Sequence, residues 1–147
     1  MKVILISLII LTTACKSQKK SVQEIGNDDK LVLLVQDGYF FTDTIETHVI
    51  KDEKSLKSFF SEVNKTRKPG IPVPKIDFST EMVLIACMGA QKTSAMPSLK
   101  ILNDNKGEKI IGISLESKSK NDKQVTSYPF CVYKMPVSFD KITFKEI

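Results

Sequence analysis

Apolar residues in this chain are concentrated in short runs, and one run organises the rest of the domain. Residues 82–88 read Met-Val-Leu-Ile-Ala-Cys-Met and are followed by Gly89. A continuous apolar run of this length, bounded by glycine, favours a strand buried on both faces over a helix. We therefore expect this strand to lie in the interior, with the rest of the domain built around it.

Shorter strands are predicted before this run. Leu31–Val35 is apolar throughout, Asp37-Gly38 is a turn signal, and Thr44–Ile50 contains alternating apolar and polar residues. Two such runs separated by a turn signal predict a β-hairpin.

More strands are predicted after Gly89. Leu99–Leu102 and Lys109–Glu116 predict a second hairpin, because the latter alternates apolar and polar residues. Val125–Lys134 predicts a long strand in which Pro129 indicates an edge position or a bulge. A last short strand is expected around Ile142.

One amphipathic helix is predicted over residues 53–65. Its apolar residues have the spacing i, i+3, i+4, i+7 and are Leu56, Phe59, Phe60 and Val63. Asp52 is a good N-cap candidate, and Ser55 is a second one. The predicted fold class is therefore α+β: a mainly antiparallel sheet, curved or partly sandwiched, with this helix packed on it.

The N-terminus has the pattern of an export signal. Lys2 is followed by an apolar run, Val3–Leu11, and by small residues up to Cys15. This run is too short to span a bilayer and is typical of a signal peptide. Ala14 before Cys15 is similar to the lipobox of bacterial lipoproteins, although Thr12 replaces the usual leucine. We expect residues 1–14 to be a lipoprotein signal peptide and Cys15 to carry lipid; the alternative is a plain signal peptide with an incidental cysteine.

The rest of the chain divides into a tether and one domain. Residues 15–29 are too polar to form a core and predict a flexible tether. Residues 30–147 have the length of a single domain. Lys16 offers no aspartate signal for the inner membrane, so we expect a lipid-anchored protein of the cell envelope, held in the outer membrane.

Charge and cysteine content narrow the function further. The formal net charge is +5, but the lysines are interspersed with acids, and no nucleic-acid motif is present, so nucleic acid is not an expected partner. Cys87 and Cys131 lie in apolar runs and are expected to be buried thiols. A disulfide between them is the alternative if their strands are neighbours.

Catalytic chemistry receives little support. His48 is the only histidine and lies two residues from Glu46, which is more typical of a surface pair on a strand than of an acid–base pair. The sequence lacks a phosphate-binding loop and the metal and redox motifs HExxH and CxxC, so no enzyme activity, cofactor or metal is predicted. A hydrolase using His48 is the least favoured alternative.

A polar loop after the buried run is the predicted partner-binding site. Loops on a rigid sheet often carry function, and methionine is an adaptable contact residue. The residues of this partner loop are Gln91, Lys92, Thr93, Ser94, Ala95, Met96 and Pro97. The loop Ser117–Gln124 is expected beside it. The alternative is that both loops only connect strands.

The central stretch resembles the C-terminal domain of the protease-complex subunit PrcB family, small exported bacterial lipoproteins and their relatives. The family has an Asp-Phe pair opening an apolar strand, a Thr-Gly-Gly-Tyr turn, a glycine-bearing hairpin, and a strand opening with Pro-Tyr. The similar positions here, within residues 45–135, are Asp77-Phe78, Met82–Gly89, Thr93, Gly107, Pro129-Phe130 and Val132–Lys134. The helix also lies at the family's position.

This resemblance implies a non-enzymatic accessory protein that binds an envelope protein, such as a protease complex. Ser94-Ala95-Met96 replaces the family's Gly-Gly-Tyr, so the contact site implied by that turn is altered or lost. Two further alternatives are a protease inhibitor that inserts a loop, and a binder of a small ligand in an apolar cavity between helix and sheet.

Overall fold

The computed structural model describes residues 31–105, 107–116 and 125–147, which form two sheets and one helix. The predicted signal peptide, the tether with Cys15, and the loop Ser117–Gln124 lie outside the described residues. The elements are β1 Val32–Asp37, β2 Glu46–Ile50, α1 Glu53–Val63, β3 Glu81–Cys87, β4 Met96–Asn105, β5 Glu108–Glu116, β6 Phe130–Pro136 and β7 Lys141–Glu146. No helix of these ranges is long and apolar enough to cross a bilayer.

The predicted α+β class is confirmed. One sheet has four antiparallel strands in the order β1-β6-β3-β2. The other has three strands in the order β4-β5-β7, with β4 and β5 antiparallel and β5 and β7 parallel. The helix covers one face of the four-stranded sheet, and the three-stranded sheet covers the other. The second hairpin, β4 and β5, is confirmed.

The buried strand β3 faces two separate cores, as its continuous apolar sequence predicts. Val83, Ile85 and Cys87 lie in a core with the helix. The alternate residues of β3 lie in a second core with the three-stranded sheet. Since successive side chains of a strand point to opposite faces, only an all-apolar sequence satisfies both cores.

The helix forms where its pattern predicts. The Asp52 Oδ1 atom accepts a hydrogen bond from the Ser55 backbone nitrogen at 2.8 Å, which satisfies one of the free donors of the first turn. The four stripe residues are buried against the sheet. The helix is therefore held by its apolar face, and its polar face is left in water.

The predicted hairpin between the first two strands is wrong. β1 pairs with β6 and β2 pairs with β3, at opposite edges of the sheet. β3 and β6 are the most apolar strands, and central positions bury both of their faces, which leaves the edges for β1 and β2. A bulge in β1 directs Leu33 to one core and both Leu34 and Val35 to the other.

The edge position or bulge predicted from Pro129 is also wrong. This strand begins at Phe130 and lies between β1 and β3. Pro129 precedes the strand, so its missing N–H group interrupts no ladder, and its carbonyl oxygen accepts from the Met88 nitrogen at 2.9 Å.

Cys87 and Cys131 are buried free thiols on opposite faces of one sheet. Cys87 is paired with Phe130 and Ala86 with Cys131, so the two side chains enter different cores. The disulfide alternative is therefore wrong although the strands are neighbours. Burial raises the pKa of each thiol to about 12.

Candidate functional site

One end of the four-stranded sheet gathers three connecting segments. β1 and β3 end there and β2 and β6 begin there, which brings together residues 38–45, 88–97 and 125–129. Short bridges join Tyr39 to Tyr128 and Gln91 to Ser127. We call this region the aromatic end.

Three aromatic side chains form a surface cluster at this end. The rings of Tyr39 and Tyr128 meet edge to face with centroids 6.0 Å apart, and those of Phe41 and Tyr128 are 4.8 Å apart. Tyr39 is 51% exposed and Phe41 is 59% exposed. Clustered exposed aromatics are more typical of binding surfaces than of ordinary solvated surface.

The backbone of the cluster is held by a fork-shaped ion pair. Arg67, from the segment after the helix, donates to Asp37 Oδ2 at 3.1 Å and to Asp37 Oδ1 at 2.5 Å. It also donates to the Tyr39 carbonyl oxygen, and Asp37 Oδ1 accepts from the Tyr39 nitrogen at 2.8 Å. Because Arg67 is mostly buried and these contacts involve charged groups, Tyr39 is held in place before any partner arrives.

A glycine allows two of the segments to pack closely. Gly89 has a positive φ of 64°, and a Cβ atom there would lie 3.1 Å from the carbonyl carbon of Thr44. The chain leaving β3 can therefore pass directly under the segment that carries Phe41.

The N-terminal half of the partner loop is fastened to the segment before β6. Gln91 and Ser127 exchange two backbone hydrogen bonds, each 2.8 Å long, and the Gln91 side-chain amide donates to the Met88 carbonyl oxygen at 2.7 Å. The Ser127 hydroxyl donates to the Thr93 carbonyl oxygen at 2.6 Å. The loop thus lies directly beside Tyr128.

The C-terminal half of the partner loop is largely buried. Ala95 and Pro97 are buried, Met96 is half-buried against Gly38, and Met96 already begins β4. Lys92 and Ser94 are the exposed members. Partner binding by this loop stays a prediction, and Lys92 and Ser94 are its most accessible side chains.

The aromatic cluster was not recognised as a candidate site from the sequence. The available signal was Tyr39-Phe40-Phe41, three aromatic residues directly after an Asp-Gly turn. The side chain of Phe40 points inward, with its ring 5.3 Å from that of Phe59. Tyr128, the third member, is distant in sequence and carries no local signal of its own.

An open cleft of about 450 Å³ adjoins the cluster on the helix side. It lies between residues 39–46 and the C-terminal end of α1. The charged side chains in its lining are Asp43, Glu46, Glu62 and Lys65. Acids outnumber bases there, and the helix C-terminus adds partial negative charge, so the cleft suits a basic or polar group. This mixed lining differs from the apolar cavity expected of a small-ligand binder.

The His48 side chain is engaged with its neighbours. Its Nε2 atom is 3.6 Å from Glu46 Oε2, and its ring centroid is 6.1 Å from that of Phe59. Cys87 is paired with Glu46 across the strands, but burial, with a further contribution from the Glu46 charge, raises its pKa to about 12. A nucleophilic cysteine needs the opposite shift, so this trio does not favour covalent catalysis.

No metal-binding cluster of three or more histidine, cysteine, aspartate or glutamate side chains occurs in the ranges that the structure describes. No family model, curated protein or solved structure matches the chain. The resemblance to the PrcB family therefore stays a prediction. Two of the residues that carry this resemblance have structural roles here. Asp77 Oδ1 accepts from the Ser79 nitrogen at 3.1 Å in the turn before β3, and Pro129 directly precedes β6.

Proposed function

We propose that this protein is a membrane-anchored, non-enzymatic accessory module of the cell envelope, which binds another envelope protein through its aromatic end. The observation that carries the proposal is the exposure of Tyr39 and Phe41, which cluster with the half-buried Tyr128. The Arg67–Asp37 ion pair holds the backbone beneath this cluster. The partner loop borders this cluster and enlarges the contact surface.

Rigid aromatic side chains are well suited to this role. They bury a large area while losing few rotatable bonds, and they are enriched among the residues that dominate binding energy. Because Arg67 and Asp37 already hold the backbone of Tyr39, little ordering remains to be done when the partner binds.

The resemblance to the PrcB family supports a protease complex as the assembly that this module serves. The family's turn offers a tyrosine where this chain has Met96, and Met96 is half-buried. We propose that Tyr39, Phe41 and Tyr128 take over the aromatic contact, with Lys92 and Ser94 at the margin.

The test is site-specific photocrosslinking of the full lipoprotein in intact cells. A photoreactive residue at Phe41 is expected to capture one envelope protein reproducibly. The same residue at Leu102, which is 45% exposed on β4, is the matched control and should not capture it.

Variants then assign the contact within the aromatic end. Tyr128→Ala should strongly reduce capture at position 41, while Lys92→Ala should reduce it only partly. Equal capture from positions 41 and 102, or no capture from either, would refute binding through the aromatic end.

A loop-inserting protease inhibitor is the second candidate, favoured by the hydrogen bonds that tie the partner loop to Ser127. Lys92 would be the primary specificity residue, because it is the exposed basic side chain of that loop. Inhibition of a lysine-specific protease by the purified protein, abolished by Lys92→Ala, would support this candidate. Rapid cleavage after Lys92 without inhibition would reject it.

A further inference from the structure

The sheet end opposite the aromatic end combines the chain entry with an exposed aromatic turn. Val32 at the start of β1 pairs with Lys134, and Glu81 at the start of β3 pairs with Pro136. The turn between β6 and β7, residues 137–140, follows directly. We call this region the tether end.

Phe139 is 97% exposed at the tip of this turn. The ring therefore gains almost no burial within the domain, which is unusual for a residue of this size. A fully exposed phenylalanine needs either a covering partner or a loose turn to explain it.

The turn is firmly fixed on both sides of Phe139. Ser138 is buried, its hydroxyl donates to Asp140 Oδ2 at 2.9 Å, and its carbonyl oxygen accepts from Lys51 Nζ at 3.0 Å. Asp140 Oδ1 accepts from the Gly107 nitrogen at 3.1 Å. Since Ser138 and Asp140 are both held by hydrogen bonds, the turn is ordered and the exposed position of Phe139 is fixed.

The predicted tether joins the domain just before β1, at the same end of the sheet as this turn. The tether predicted for residues 15–29 spans at most about 50 Å when fully extended. A coil of that length has a root-mean-square span of about 20 Å. A lipid on Cys15 would thus keep the tether end close to the bilayer, and a weak second contact there benefits from a high effective concentration.

We propose that the turn of residues 137–140 is a second membrane contact, in which Phe139 inserts into the headgroup region of the anchoring bilayer. Aromatic rings favour this interface, and a second contact reinforces a lipid anchor. The exposed Lys141 beside the turn can reach lipid phosphates. In this orientation the tether end contacts the bilayer, and the aromatic end faces away from the membrane. The inference rests on the proposed lipid anchor.

The absence of tryptophan from the chain permits a direct test. Phe139→Trp and Phe41→Trp each introduce a single fluorescent reporter, one at each end of the domain. The acylated full-length variants are mixed with vesicles of phosphatidylcholine, with or without bromine on the acyl chains. We expect tryptophan at position 139 to show a blue shift and strong bromine quenching, and tryptophan at position 41 to show neither.

Vesicle flotation separates failure of the anchor from failure of the inference. Flotation of both variants without quenching at position 139 would overturn the second contact and leave the anchor intact. Equal quenching at positions 41 and 139 would overturn the upright orientation and with it the inference. Failure to float would refute the lipid anchor and the inference that depends on it. Matching thermal unfolding of the two variants and the parent protein checks that the substitutions preserve the fold.

Discussion

The helix-side core and the aromatic end are built from the same kinds of residue and differ in what covers them. In the core, Phe60 is fully buried, and the Phe59 ring lies 5.6 Å from it and 5.9 Å from Phe130. At the aromatic end, Tyr39 and Phe41 remain more than half exposed. Residue type therefore does not separate stabilising aromatics from candidate contact aromatics in this protein.

The boundary between these regions passes through three consecutive residues. Phe40 enters the core, while Tyr39 and Phe41 point outward on either side of it. In an extended chain the side chains alternate in direction, so one buried residue places both of its neighbours outside. Packing of Phe40 thus fixes the chain from which the surface aromatics project.

The largest predicted effect comes from the centre of the core. Phe60→Ala should lower the free energy of unfolding by about 3–5 kcal/mol, because a buried ring is replaced by a cavity. Phe41→Ala is the matched substitution and should change it by only about 0.5 kcal/mol. Urea unfolding of both variants measures the difference, and similar losses would contradict the division between core and contact aromatics.

A smaller effect is expected from the Arg67–Asp37 ion pair beneath the aromatic end. Arg67→Met should lower the free energy of unfolding by about 2 kcal/mol, because it removes hydrogen bonds between charged groups. It should also reduce crosslinking from position 41, since Tyr39 loses its support. Lys57→Met breaks the exposed ion pair with Glu53 and is expected to cost less than about 0.5 kcal/mol. Equal losses of stability in Arg67→Met and Lys57→Met would show that the Arg67–Asp37 ion pair contributes no more than an ordinary exposed ion pair.

The buried thiols of the two cores should make the free energy of unfolding depend on pH in the alkaline range. Burial raises the pKa of Cys87 and Cys131 to about 12 from a usual value of 9.0. Above pH 9 the unfolded chain releases thiol protons that the folded chain retains, so stability falls until the pH reaches about 12. The slope is at most about 1.4 kcal/mol per pH unit for each thiol.

Urea unfolding at several pH values between 8 and 11 can isolate this contribution. Cys131→Ala should be less stable at pH 8 but should lose stability less steeply than the parent as the pH rises. Parallel pH profiles would indicate that Cys131 is not held in its protonated form by the fold.

The smallest effect on stability is expected at the margin of the aromatic end. Lys92→Ala and Ser94→Ala should each change the free energy of unfolding by only about 0.5 kcal/mol, because both side chains are exposed. Pro97→Ser, at a buried position of the same loop, should cost more. Thermal unfolding of the three variants tests whether the loop is divided into an exposed and a structural half.

Predictions that depend on neighbouring residues succeeded, and those that depend on contacts between distant segments failed. The helix was predictable because its apolar spacing and the Asp52 cap are local signals, and β3 because its whole sequence is apolar. The hairpin between β1 and β2 failed because a turn signal at Asp37-Gly38 does not specify which strand lies opposite. Among candidate contacts, the partner loop was visible as a polar segment, but its division into exposed and buried residues was not.

The sequence by itself determined the helix and the residues that it buries, the burial of β3 on both faces, and the approximate positions of the other strands. Those properties depend on spacings of two to four residues. Tertiary structure alone decided that β6 lies between β1 and β3, that Cys87 and Cys131 face different cores, and that Tyr39 and Tyr128 meet. Such pairings join distant parts of the chain. They are selected because the central strands must bury both faces, and the sequence of one strand does not specify which strand lies beside it.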